Sequence, residues 1–311
     1  MRNSFTNVLY EIFKKDKSTF LVSADMGFSF FERFQQDFPD RFLNTGVAEA
    51  NMIGISAGLA LSGKTVFSYS ISTFLTMRCF EQIRDDVCNQ NANVKLVGSG
   101  GGLTYGSLGP THHAVEDISI MRSLANMVVI CPGDPIEAEL CARAVYSYHG
   151  PAYIRLGRNG DPHVHTTKPL FTIGKSIIVK KGSDITIIAT GNMLKTAHLV
   201  SLSLEKRGIS TRLISMHTIK PIDQKAILKA ALDTKAIFSI EEHSIIGGLG
   251  SATAEVLADN GVNIIFKRFA LPDMFCKYVG SHQYLRDKNG LGESQIYDSI
   301  INILVHNQII T

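Results

Sequence analysis

Nowhere does the chain carry a C-x-x-C pair, and its five cysteines, Cys79, Cys88, Cys131, Cys141 and Cys276, form an odd set. That pattern excludes a zinc-ribbon site and a disulfide framework, and predicts reduced thiols in a cytoplasmic protein. No apolar run approaches the ~18 residues that a membrane span needs. The opening MRNSFTNVLYEIF has helical periodicity without signal-peptide architecture. Charge of one sign is scarce as well: a formal net charge of +3 is too small to mark a nucleic-acid partner. The P-loop pattern is absent, and neither Gly98-x-Gly100 nor Gly247-Gly248-x-Gly250 completes G-x-G-x-x-G. The second has Thr253 where the last glycine belongs, and the strand after its helix ends in Lys267-Arg268 instead of a ribose-binding acid.

What is present fits an α/β protein of two domains, since 311 residues exceed the roughly 100–200 usual for one. After a helix over 4–14, apolar strands at 19–23, 65–69, 93–97, 127–131 and 152–156 alternate with helical patterns, the signature of a largely parallel sheet. The Gly- and Pro-bearing stretch after Leu156 reads as a linker over 161–175, between domains at 1–160 and 176–311. The second unit repeats the alternation, with strands at 184–189, 211–215, 236–240 and 263–266 and a final helix over 293–306.

Residues 44–63, NTGVAEANMIGISAGLALSG, hold one acidic residue, Glu49, in an uncharged run at helical spacing. A helix so poor in charge is expected to be buried on most sides, and a carboxylate in its first turn then needs a hydrogen-bonding partner. The alternative is an exposed acid favoured by the helix dipole. Gly54-x-Ser56-x-Gly58 imitates a nucleophile elbow, but no strand precedes it; small residues for close helix packing explain it better. A helix over 72–88 places Phe74, Met77, Phe80 and Ile83 on one stripe, expected in the core. The loop over 98–117 is rich in glycine and closes on Thr111-His112-His113; loops of that length are often functional. Asp25 follows the first strand, where α/β sheets place ligand groups. Glu241-Glu242-His243 lacks the H-E-x-x-H frame of a metal site and reads as a structural acid–histidine cluster.

In order, SADMGFS, GVAEANMIGISAGLAL, SISTFL, GPTHH, IRLGR and IEEHSIIGGLGSATAE resemble the transketolase family of thiamine diphosphate enzymes. The first five cover its pyrimidine-binding domain and the last its C-terminal domain. The family's G-D-G…N motif for diphosphate and Mg²⁺ is missing; Gly133-Asp134-Pro135 does not fit it. The resemblance therefore implies one subunit of a split transketolase, an α₂β₂ assembly with thiamine diphosphate shared and Mg²⁺ held by the partner chain.

It also implies roles. Glu49 takes the place of the buried glutamate that hydrogen-bonds the aminopyrimidine and favours its imino tautomer, through which the thiazolium carbon loses its proton. Phe74 matches the aromatic residue stacked on the pyrimidine, and Asp25 an active-site aspartate. His112 matches the histidine beside the substrate hydroxyls, and His113 completes a doublet found in 1-deoxyxylulose-5-phosphate synthases. Arg2, Ser29 and Arg158 align with the sugar-phosphate site. Two positions depart from the family: Gly100 replaces a phosphate-binding histidine, and Leu108 an aspartate that reads a sugar hydroxyl. The reaction implied is transfer of a two-carbon ketol unit from a ketose, or its phosphate, to an aldose. The rivals are oxo acid decarboxylation, as in the deoxyxylulose phosphate synthases or 2-oxo acid dehydrogenase β subunits, and a non-catalytic structural subunit.

Overall fold

The structure, a computed structural model, describes residues 1–27, 30–158 and 160–310. Its strands are β1 (Thr19–Ser23), β2 (Phe42–Asn44), β3 (Thr65–Ile71), β4 (Val94–Ser99), β5 (Val128–Ile130), β6 (Ala152–Leu156), β7 (Ile177–Lys180), β8 (Ile185–Ala189), β9 (Thr211–Ser215), β10 (Thr218–Lys220), β11 (Ala236–Ser244) and β12 (Ile265–Leu271). They form a seven-stranded sheet in the order β10-β5-β6-β4-β3-β1-β2 and a five-stranded sheet in the order β12-β11-β8-β9-β7. All pairings are parallel except two at sheet edges, β10 with β5 and β7 with β9. Among the described residues no helix is long and apolar enough to cross a membrane.

Alternation along the strands builds the layers. Leu21, Phe67, Val97 and Ile154 pack with Phe5, Leu9 and Phe13 of the opening Arg2–Lys15 helix and with Ala138 and Cys141 of the Pro135–Ser147 helix. Their neighbours Val22, Val66 and Leu96 point to the opposite face, where they meet Met52, Ile53 and Ala57 of the Glu49–Leu61 helix. That second core does not stop at the first sheet. It runs on through Ile188, Ile214 and Ile237 of the second sheet and Leu249 and Val256 beyond it, so the two units share apolar packing.

Three expectations need correction. The pattern over 72–88 is not one helix: it divides into Ser72–Thr76, a turn at Phe80–Gln82 and wider, π-type turns over Ile83–Asn89. Thr76 Oγ1 donates back to the Ser72 carbonyl at 2.7 Å, the side-chain competition that bends helices. Its apolar stripe is core only in part: Ile83 is fully buried and Phe80 packs against the same core, whereas Phe74 is half-buried and Met77 exposed. Finally, the Glu49 helix is not closely packed on most sides. Val47, Asn51, Gly54, Gly58 and Leu61 form an exposed line along it, and a methyl group added at Gly54 or Gly58 would meet nothing.

Candidate active site

Parallel strands bring their C-terminal ends to one rim, the usual place for ligands in α/β sheets. Asp25 follows β1, Phe74 lies in the helix after β3, the glycine loop follows β4, and Arg158 follows β6. Asp25 takes a left-handed backbone (φ 50°); its N–H donates to Asn44 Oδ1 at 2.9 Å, and the Asn44 amide returns a bond to its carboxylate at 3.3 Å. That pair ties the ends of β1 and β2 together ahead of Glu49.

Glu49 opens its helix and is 2% exposed. Its Oε2 accepts from Arg78 Nη1 at 2.8 Å. The same guanidinium lies 4.5 Å from the centroid of the Phe74 ring. Phe74 in turn meets His112 edge-on, with ring centroids 5.1 Å apart. His112 is half-buried, and its Nδ1 sits 3.0 Å from the Thr111 hydroxyl. Glu49, Arg78, Phe74 and His112 are thus linked by consecutive contacts. The carboxylate also helps raise the pKa of the buried Cys79 thiol to about 12, after the larger effect of burial itself.

From His112 the line continues to Tyr105, at 6.3 Å between rings, and from Tyr105 to the Arg158 guanidinium at 5.8 Å. The Tyr105 hydroxyl is 3.3 Å from Ser99 Oγ. Burial raises the pKa of nearby Tyr69, while Ser99 and Arg2 act the other way. Arg2 stacks on Phe30 at 4.2 Å, and its Nε is buried without a partner among the described residues. Ser99 thus stands between Tyr69, beside Arg2, and Tyr105, beside Arg158. Ser29 lies outside the described residues.

Tyr105 accounts for a departure noted in the sequence. Gly100 has φ +81°, and a Cβ there would come within 2.0 Å of the Tyr105 ring. The ring fills the space beside residue 100, so no histidine fits that position. Leu108 is exposed in a short turn. His113 faces elsewhere. It is buried, lines an apolar groove of about 610 Å³ with Met77, Met274 and Phe275, and has no well-formed hydrogen bond among the described residues. Burial lowers its pKa, which keeps the ring neutral near pH 7.

Glu241-Glu242-His243 forms no metal centre; among the described residues no group of His, Cys, Asp or Glu could hold an ion. Glu241 accepts the N–H groups of Leu249 and Gly250 at 2.7 and 2.8 Å at a helix start. Glu242 receives His282, Arg286 and the N–H of Leu103, the last at 2.6 Å. Ser119 N–H donates to His243 Nε2 at 3.3 Å.

Residues 1–160 match the family model described as the transketolase pyrimidine binding domain, and residues 174–296 the transketolase C-terminal domain. The chain belongs to the transketolase family. It is 38% identical over 297 residues to the 6-deoxy-6-sulfo-D-fructose transketolase subunit SqwH of Clostridium sp. (strain MSTE9), covering 95% of this chain and 92% of that one. It is 37% identical over 296 residues to an apulose-4-phosphate transketolase subunit of Phocaeicola vulgatus, covering 93% and 94%. A solved structure described as a split gene transketolase, inactive beta4 tetramer, superposes with a TM-score of 0.90 at 35% identity over 98% of both chains. Within this family the site fits the aminopyrimidine half of thiamine diphosphate. A planar N–H donor already occupies the buried carboxylate and lies on the Phe74 ring: the Arg78 guanidinium makes both contacts expected of the pyrimidine.

The sequence reading missed Arg78, Tyr69 and Tyr105. Arg78 could have been found on the expected helix over 72–88, where it stands four residues after Phe74, although the structure places it in the turn after Thr76. Tyr105 had no such signal in an aperiodic loop.

Proposed function

We propose that this chain is the pyrimidine-binding subunit of a split transketolase, moving a two-carbon ketol unit from a ketose to an aldose. The contact series from Glu49 through Phe74 and His112 to Arg158 carries the reading. When bound, thiamine diphosphate supplies an acidic thiazolium carbon as nucleophile. Glu49 holds a proton at the ring nitrogen, shielded from water by its burial, and Phe74 offers its face to the ring. His112, with Nδ1 engaged by Thr111, is left with Nε2 to exchange protons with a sugar hydroxyl. Arg2 and Arg158 bind an anionic sugar terminus, with Tyr69 and Tyr105 between them in the place of the missing histidine. Asp25 borders the cofactor side and Ser29 is assigned to the substrate; His113, which lines the separate apolar groove, is not.

The diphosphate and Mg²⁺ are assigned to a partner chain, because the relatives matched over 92% and 94% of their own length are named as transketolase subunits. Closed two-fold symmetry with two copies of each chain is the simplest assembly. The open line Val47, Asn51, Gly54, Gly58 and Leu61 on the Glu49 helix is the face offered to it.

Reconstitution tests the reading. Calorimetry should find weak thiamine diphosphate binding to this chain alone and no turnover. Adding a diphosphate-binding partner should produce both, with ketol transfer and no CO₂ release from pyruvate. Micromolar binding or turnover by the chain alone would refute the split-subunit reading.

A further inference from the structure

Beside Arg158 lies a cavity of about 560 Å³ from which the catalytic reading uses Arg158 alone. The glycine loop contributes Thr104 and Ser107 to its wall, the segment after β6 contributes Arg158 and Asp161, and the second unit contributes Asn192, Lys195, His282 and Arg286. Its charges do not cancel. Arg286 and His282 are both taken by the buried Glu242, and Asp161 is taken by the terminal amine at 2.9 Å. Arg158 and Lys195 face the same space from opposite units, and neither has a carboxylate partner among the described residues. Arg158 is exposed and Lys195 half-buried, so the pocket is open on one side; two unpaired cations across such a cleft still attract a dianion more strongly than either does alone. The Asn192 amide oxygen adds a buried acceptor with no partner among the described residues, which suits a ligand hydroxyl. The surrounding hydroxyls of Thr104 and Ser107 extend the same polar lining.

We infer that this cavity between the two units is an anion site for a phosphorylated polyol, with Lys195 and Arg158 clamping its tetrahedral dianion. The clamp draws one cation from each unit, so an occupied site ties the units together. Arg158 is common to this cavity and the catalytic rim; Lys195 and Asn192 belong to the cavity alone. The dianion comes either from the far end of the substrate itself or from a separate phosphorylated ligand.

Inorganic phosphate is the probe. The full chain is titrated at ionic strength held constant with chloride, and binding is followed by phosphorus NMR line width and by thermal shift. Saturable binding is expected. Lys195→Met, which keeps the aliphatic stem, should weaken it about tenfold, the loss typical of one charged hydrogen bond. Lys15→Met, at an exposed position, makes the same change in net charge and should leave binding unaltered. Absence of saturable binding, or equal weakening in both variants, overturns the inference. Arg2→Ala separates it from the proposed catalytic site. Should Arg2→Ala abolish phosphate binding while Lys195→Met leaves it intact, the anion sits at the catalytic rim and the cavity assignment is wrong, though the catalytic reading stands. In the reconstituted enzyme, Lys195→Met raises KM for a phosphorylated sugar at unchanged kcat if the substrate fills the cavity. Weakened phosphate binding with unchanged KM supports the same site with a separate ligand.

Discussion

At the scale of single residues, the weight of the catalytic reading falls on Glu49. Glu49→Gln keeps the shape and removes the exchangeable acid. The fold should survive, and deuterium exchange at the thiazolium carbon in the reconstituted enzyme should fall by ~10²–10⁴-fold, the range of general acid–base contributions. Exchange near the wild-type rate would leave Glu49 a structural partner of Arg78 alone. Arg78 competes with the cofactor for the same carboxylate. Arg78→Ala should therefore lower the melting temperature of the free chain, where a buried acid loses its counter-charge, and tighten cofactor binding in the assembled enzyme. Calorimetry on both forms checks the two signs. Glu49 was legible in the sequence because a lone acid in an apolar run conflicts with burial and needs a partner. The identity of that partner was not legible from the run itself, since it comes from the turn after the Ser72–Thr76 helix, which the chain reaches only after another strand. Gly100 shows the reverse case: the sequence registers a lost histidine, and only the fold reveals a tyrosine ring in its space.

Among the elements, the Glu49 helix was expected to be wrapped on most sides, and its length and start were readable from spacing. Its surroundings were not, because a lack of charge is equally the mark of a face awaiting another chain. Gly58 has no positive φ and open space around it. Gly58→Leu should leave the free chain folded, with stability within ~1 kcal/mol of wild type, since Gly is a poor helix residue and Leu a good one. The same change should block assembly on that face, seen as a lower-mass species by light scattering in the presence of the partner. Normal assembly by the variant would remove the face from the interface. The short strands β2, β7 and β10 went unread for a different reason: segments of this length hold too few residues for periodicity to register.

For the whole molecule, the joint between the units is the sensitive part. His217 follows β9, is fully buried and stacks on Phe171 of the connecting segment, with ring centroids 3.9 Å apart. Burial lowers its pKa from 6.5 to about 4; Glu137 and Asp223 act in the opposite sense, and His165 adds to the lowering. Between those values the unfolded chain takes up a proton that the folded chain refuses. Its contribution is therefore complete above pH 6.5 and is lost as pH falls towards 4, by ~3 kcal/mol for a shift of that size. Denaturant titrations of wild type and His217→Gln should show their stability difference shrinking over this window; a constant difference would exclude His217 as its source. Strand alternation made the two-unit α/β plan legible, but nothing in the sequence signals that β10 leaves its own unit to pair with β5. That crossing strand covers an edge that would otherwise stand open to other chains. A protease nicking the exposed connection near Leu170 would thus leave two pieces still clasped, and a recombination breakpoint placed there would part a strand from its sheet. The two units are thereby fastened by backbone as well as by side chains.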